Sequence, residues 1–273
     1  MLASILSAYC RHSPISTGKW RVINYAEKIL EHGIEKSKTW DGIHMELDTS
    51  DFIQRTIFLT GLWDSNVRSV IVDLLQDGDV FVDAGANVGY FTLLAAKLVG
   101  SSGRVFSFEP NPATLELMRR NIEINSYDNI KVYEAGLSDR DNTGVLFLDN
   151  EGNSGAASQR QNYGVKVPIN LVTLDSILEE NSVGQVRLVK IDVEGSEIQV
   201  LRGAERLLSS LNAPNVLCEV SELSLIKMGG GKDELFSLMR GHGYQAKIIS
   251  PIRRSNLSSE SVYFQYDVLF SKS

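Results

Sequence analysis

From Asp79 onward, short apolar runs alternate with amphipathic stretches, and this rhythm constrains the fold more than any other feature of the chain. Asp79-Val80-Phe81-Val82-Asp83, Arg104-Val105-Phe106-Ser107-Phe108, Asn129-Ile130-Lys131-Val132-Tyr133, Arg187-Leu188-Val189-Lys190-Ile191 and Asn215-Val216-Leu217-Cys218-Glu219 read as strands of a sheet buried on both faces. Phe91, Leu94, Ala95 and Leu98 recur at i, i+3, i+4 and i+7 between the first two runs, one apolar stripe of a helix. Between the second and third, Asn111 suits an N-cap, Pro112 the first helical position, and Leu115, Met118 and Ile122 the buried face. Strands alternating with helices make an α/β fold with a mostly parallel sheet.

Composition agrees. The 273 residues are 43% apolar and 22% charged, which excludes disorder and collagen-like fibre. Cys10 and Cys218 lie far apart and fit no CxxC pattern, so a zinc ribbon, a redox pair and a disulfide framework are not expected. With 27 basic and 34 acidic residues the net charge is −7, against nucleic acid as a partner. The opening MLASILSAYC is too short and lacks the basic lead of a signal peptide or membrane span; it reads as an amphipathic helix, and a cytoplasmic location is expected.

Residues 1–70 read as an N-terminal helical and strand cap, with an edge strand in Gly42–Leu47, and residues 71–273 as the main domain. Two hairpins are expected later. One has arms at Val145 and Leu171 around a polar loop at 150–164; the other joins strands at 243–250 and 261–270 through a polar loop and places an antiparallel strand in the sheet.

The first strand runs into Asp83-Ala84-Gly85-Ala86-Asn87-Val88-Gly89, where small residues let the backbone turn sharply and a ligand approach it. Glu109 ends the second strand twenty residues after Gly89, the offset at which a carboxylate accepts both hydroxyls of a ribose. A nucleoside-bearing ligand over the carboxyl ends of the strands follows. The spacing is Gly-x-Asn-x-Gly rather than Gly-x-Gly-x-x-Gly, and a charge on Asp83 would repel a pyrophosphate. The same charge suits an ammonium and a sulfonium, the pattern of S-adenosylmethionine. This step requires the Asp83 side chain to share a cavity with Glu109.

The motifs Asp83–Thr92, Phe108-Glu109-Pro110-Asn111-Pro112, Val172-Thr173-Leu174-Asp175 and Lys190-Ile191-Asp192-Val193-Glu194-Gly195-Ser196-Glu197, in this order, resemble the FkbM-type methyltransferases over about residues 45–250. The resemblance implies a Rossmann-like class I methyltransferase fold, with a seven-stranded, mostly parallel sheet, one antiparallel strand and helices on both faces. It implies S-adenosylmethionine as cofactor and O-methylation of a hydroxyl on a sugar, a glycan or another small molecule. By that resemblance Asp83, Gly85, Asn87 and Gly89 surround the methionine part, Glu109 holds the ribose, and Pro110 and Asn111 shape its edge. Adenine is then expected near Ala135-Gly136-Leu137-Ser138-Asp139, with Leu137 and Ser138 contributing.

Asp192 and Glu194 follow the fourth strand, beside the expected cofactor. Methyl transfer is mostly alignment, but an alcohol must lose its proton, and a carboxylate within reach serves as general base. Asp192 is the first candidate and also borders the cofactor; Glu194 is the second, as base or acceptor clamp. Glu197 in the first turn of a helix has a dipole reason to be acidic. Glu219 and Glu222 could complete an acidic cluster with Asp192, yet no spacing marks a metal site, and none is assigned. His44 could face the acceptor, while His12, His32 and His242 read as structural. Trp63 and Asp64 could close over the cofactor, with 150–164 and 227–232 as lids. Two other functions remain: an NAD(P)-dependent oxidoreductase, although neither Tyr90 nor Tyr133 has the lysine of a Tyr-x-x-x-Lys catalytic pair four residues on, and a cofactor-binding protein without catalysis.

Overall fold

The computed structural model describes residues 2–12, 19–30, 32–148, 165–250, 253–258 and 261–272. The chain opens with α1 (Leu2–His12), α2 (Lys19–Ile29), the hairpin β1 (Ile34–Lys38) and β2 (His44–Asp48), then α3 (Phe52–Thr60) and α4 (Ser65–Leu74). The next elements are β3 (Val80–Ala84), α5 (Tyr90–Val99), β4 (Arg104–Phe108), α6 (Pro112–Asn125) and β5 (Ile130–Tyr133). A small side sheet of β6 (Gly136–Leu137), β7 (Asn142–Leu148) and β8 (Val165–Val172) follows, then α7 (Leu174–Glu180). The chain returns to the main sheet with β9 (Leu188–Ile191), α8 (Glu197–Arg202), α9 (Glu205–Ser209), β10 (Asn215–Ser221), α10 (Glu222–Lys227) and α11 (Lys232–Gly241). It ends with β11 (Gln245–Ile248), β12 (Arg253–Ser258) and β13 (Ser261–Ser271).

The main sheet has the order β11-β13-β10-β9-β3-β4-β5. The pairs from β10 to β5 are parallel, and β13 runs antiparallel between β10 and β11. The alternation of side chains then sorts the core. Val82, Ala84, Phe106, Phe108, Val189, Ile191, Val216 and Cys218 pack with helices α7 to α11, while Phe81, Val105, Leu188 and Leu217 face α3, α4 and α5. Helices therefore cover both faces. None among the described residues is long and apolar enough to cross a membrane.

The terminal stretch differs from expectation in one respect. A polar loop is expected before β13, but Arg253–Ser258 forms β12. The reason is the length of β13: β11 pairs with its residues 268–271, leaving residues 261–265 as a free edge that β12 occupies. The β7–β8 hairpin is antiparallel as expected, and its 150–164 loop lies outside the described residues. The early edge strand is β2. Asn121 and Asn125 on α6 hold its main chain, each side-chain amide bonding both N–H and C=O of one residue, Glu46 and His44 respectively.

Candidate active site

A cavity of about 330 Å³ lies over the carboxyl ends of β4, β3, β9 and β10, the position where open α/β sheets bind ligands. Two turns build its floor. After β3, Gly85 takes φ 79° and Asn87 φ 51°. Gly85 is obligatory, because a Cβ there would stand 1.9 Å from the carbonyl oxygen of Asp192 on the neighbouring strand. After β9, Glu194 takes φ 52° and Gly195 φ 106°. Asn87 and Glu194, two left-handed residues that are not glycine, both line the cavity, and such strain concentrates where a site dictates the backbone.

Glu109 occupies the place expected of it. Its carboxylate accepts from the backbone N–H of Asn87 at 2.8 Å and of Asn111 at 2.9 Å, bridging the two turns. Desolvation raises its pKa to about 7 against the pull of those two donors. Gly85, Asn87, Pro110, Leu137 and Asp192 line the same cavity. Asn111 does not; its side chain caps α6 through the Ala113 N–H, and only its backbone N–H serves the site. Gly89 packs against Met118, outside the lining. Ser138 is turned away too, with its N–H bonded to the Val172 carbonyl in the side sheet.

Asp83 is the substantive correction. Its side chain is completely buried, accepting from Lys190 at 3.1 Å and from Thr92 at 2.8 Å, and it does not line the cavity. Strand alternation explains this: Asp83 shares a face with Phe81 and points into the layer under α5. The argument that Asp83 selects a cationic ligand therefore fails. The carboxylates that could supply that charge are Asp192 and Asp267, which do line the cavity, with the carboxyl groups of Glu194 and Glu219 beside them.

One oxygen each of Asp192, Glu194 and Glu219 lies within 4.8 Å of the other two, while Glu222 turns away to Lys232 and the Phe264 N–H. Acids gather in many cavities without an ion, so this distance alone assigns no metal. Desolvation, then Asp192 and Glu197, push Glu194 up to about 8, with Lys227 opposing. Glu219 is raised well above the usual range by desolvation and the neighbouring acids; Gln265 donates to its Oε1 at 2.6 Å, and its buried Oε2 has no hydrogen-bond partner among the described residues. Glu197 is buried behind them, accepting from the Gly195 N–H, and desolvation raises it to about 7. That makes it the brace of the Glu194 turn rather than a lining group.

Trp63 and Asp64 reach the cavity, and Asp64 also caps α4. His44 is exposed on β2, outside the lining, and residues 227–232 do not line it either. Sequence reasoning gave no role to Lys190, to Gln265 and Asp267 of β13, or to Leu146 and Ile169 of the side sheet, all of which line it. Lys190 had a signal: a lysine inside an otherwise apolar strand must have a buried partner.

Parallel strands in this order with one reversed strand at β13 define a class I methyltransferase fold. The family description "Methyltransferase FkbM domain" matches residues 83–246, and the chain belongs to that family of S-adenosylmethionine-dependent methyltransferases. Methyltransferase 1 of Beauveria bassiana is 28% identical over 57% of this chain and 67% of its own length. The 31-O-demethyl-FK506 methyltransferase FkbM of Streptomyces tacrolimicus is 27% identical over 74% of this chain and 84% of its own. The hexuronic acid methyltransferase AglP of Haloferax volcanii is 25% identical over 55% of this chain and 59% of its own. A solved FkbM methyltransferase from Methylobacillus flagellatus aligns over 81% of this chain and 53% of its own at a TM-score of 0.43 and 16% identity.

Proposed function

We propose that this chain is an S-adenosylmethionine-dependent O-methyltransferase acting on a hydroxyl of a sugar, a glycan or another small molecule. The observation that carries the reading is one cavity lined both by Glu109, a ribose-type carboxylate, and by the Asp192–Glu194 pair. The residues present fit the cofactor: Glu109 is fixed by two backbone donors, Gly85 to Val88 offer close main chain, and acids stand where a cationic donor group needs them. Glu109 would hold the ribose, and Gly136 and Leu137 the base. Bound there, S-adenosylmethionine supplies a methyl group whose bond to sulfur breaks with both electrons left on sulfur.

The protein's part is alignment and proton removal. Asp192, whose side chain is 36% exposed at the cavity wall, accepts the acceptor's hydroxyl proton, with Glu194 positioned by its strained turn as clamp or second base. Phe52, Ile53, Trp63 and Asp64 come from residues 1–70 and line the cavity, so we assign that segment the role of a cap over the acceptor. The relative named for a hexuronic acid supports a sugar acceptor. The lining here carries several carboxylates and, among the described residues, one cation, which favours a neutral sugar hydroxyl over a uronate.

Calorimetry with S-adenosylhomocysteine, S-adenosylmethionine and NAD, each alone, tests the cofactor. Binding of the adenosyl compounds is expected, and binding of NAD alone overturns the reading in favour of an oxidoreductase. Release of S-adenosylhomocysteine with a panel of methyl glycosides and their uronates tests the acceptor. Cofactor binding with no turnover on any of them would favour a non-catalytic binding protein.

A further inference from the structure

Lys190 sits at the bottom of the cavity, and the mechanism above leaves it without a role. It is 4% exposed in a strand whose other residues are apolar and buried. Stability is a poor reason to keep it, since a buried ion pair is often no better than an apolar pair of the same size. Its contacts say more. The Nζ stands 3.1 Å from Asp83 Oδ1, 3.3 Å from the Gly85 carbonyl oxygen and 3.7 Å from Asp192 Oδ2. Burial works against its charge, but Asp83 and Asp192 outweigh that and hold its pKa above the ordinary lysine value. Asp83 lies wholly buried on the side away from the cavity, its second oxygen taken by Thr92. Lys190 and Asp83 therefore form a dipole whose positive end faces the cavity, against the glycine turn and the candidate base.

We propose that Lys190 sets how strongly this cavity prefers a positively charged methyl donor over its neutral product. The proposal rests on the donor assignment made above. In the transfer the carbon–sulfur bond breaks with its electron pair left on sulfur, the acceptor oxygen bonds the carbon, and the hydroxyl proton passes to a carboxylate. The sulfur thus loses its positive charge. The Asp192 carboxylate alone would hold the cationic donor more tightly than the transition state, in which that charge is already fading, and so would slow the step. An ammonium fixed beside Gly85 and Asp192 offsets this attraction. It distinguishes the sulfonium from the thioether and leaves recognition of the ribose and base to other residues.

The test is calorimetric and needs no acceptor. S-adenosylmethionine and S-adenosylhomocysteine are titrated separately into the wild type and into the double variant Asp83→Asn/Lys190→Met. The variant removes one charge of each sign and strands no buried acid, and an asparagine still accepts from Thr92. The expected result is a shift of about three- to ten-fold in the affinity ratio toward the sulfonium compound, with the thioether's affinity changed by less than about two-fold. A ratio that is unchanged or moves toward the thioether overturns the proposal, as does an equal loss of both affinities, which is what a purely structural lysine gives. Should this variant fail to fold, Asp83→Leu/Lys190→Met makes the same change in charge with an apolar filling. Failure of the donor assignment reads differently, since neither adenosyl compound would then bind the wild type.

Discussion

At the glycine-turn end of the cavity Glu109 is a buried acid with each oxygen met by a backbone N–H, whereas at the β9–β10 end Asp192, Glu194 and Glu219 crowd one another and Glu219 keeps a buried oxygen without a partner among the described residues. The first arrangement already has its hydrogen bonds in place, which suits the ribose site we propose there. The second is electrostatically costly, which a folded protein tolerates where chemistry needs groups poised to take a proton. On the function proposed above, the contrast separates a binding end from a reacting end on one sheet, with Gly85, Lys190 and Asp192 as the seam between them.

Substitution at the seam should have the largest effect. Gly85→Ala places a methyl on the Asp192 carbonyl and imposes a left-handed backbone on alanine, so a loss of about 3 kcal/mol or more is expected. In a chain of this size the melting temperature would fall by roughly 6–12 °C. A variant melting with the wild type would mean that the two ends are not locked together as described. Next comes the reacting end. Asp192→Asn should lower turnover by about 10²-fold or more while changing S-adenosylhomocysteine affinity by less than about three-fold, measured with the best acceptor of the panel. Equal losses would move Asp192 to the binding end and dissolve the contrast.

How much of this the sequence revealed depends on how local each signal was. Asn111 and Pro112 announce the start of α6, and the Gly85 turn with Glu109 announces the end we assign to the ribose, because cap and turn chemistry act over a few residues. Asp192 and Glu194 were legible as a pair at a strand end. Asp83 was misread because its environment depends on Lys190, 107 residues further along, and on which face strand alternation assigns it. Asn111 and Ser138 were read as lining groups, yet capping and a side-sheet bond take them elsewhere. Gln265 and Asp267 on β13 escaped notice for the same long-range reason. They reach the site only because the antiparallel register sets Asp267 opposite Glu219.

The binding end makes a smaller prediction. Glu109→Gln keeps one acceptor oxygen but replaces the charged acceptor, and should weaken S-adenosylhomocysteine by about ten-fold with little effect on turnover at saturating donor. Calorimetry beside steady-state rates separates the two. A turnover loss exceeding the affinity loss would show that Glu109 acts in the step itself and that the ends are not functionally distinct.

The smallest expected effect is on pH, and its sign follows from the raised carboxyls. Glu109 and Glu197 are pushed up to about 7 and Glu194 to about 8, all from 4.5 and all chiefly by desolvation. Between 4.5 and 8 the folded protein thus binds more protons than the unfolded chain, so stability is fully present below 4.5 and is lost as pH rises through 7 to 8. The ligand-free protein should melt several degrees lower at pH 8 than at pH 5, the reverse of a protein whose carboxylates sit in ion pairs. Glu197→Gln removes one of these groups without touching the cavity lining and should flatten the slope in thermal melts across that range. A slope of opposite sign would mean that these acids are stabilised as anions in the folded state, and the crowding at the reacting end would then carry no energetic cost.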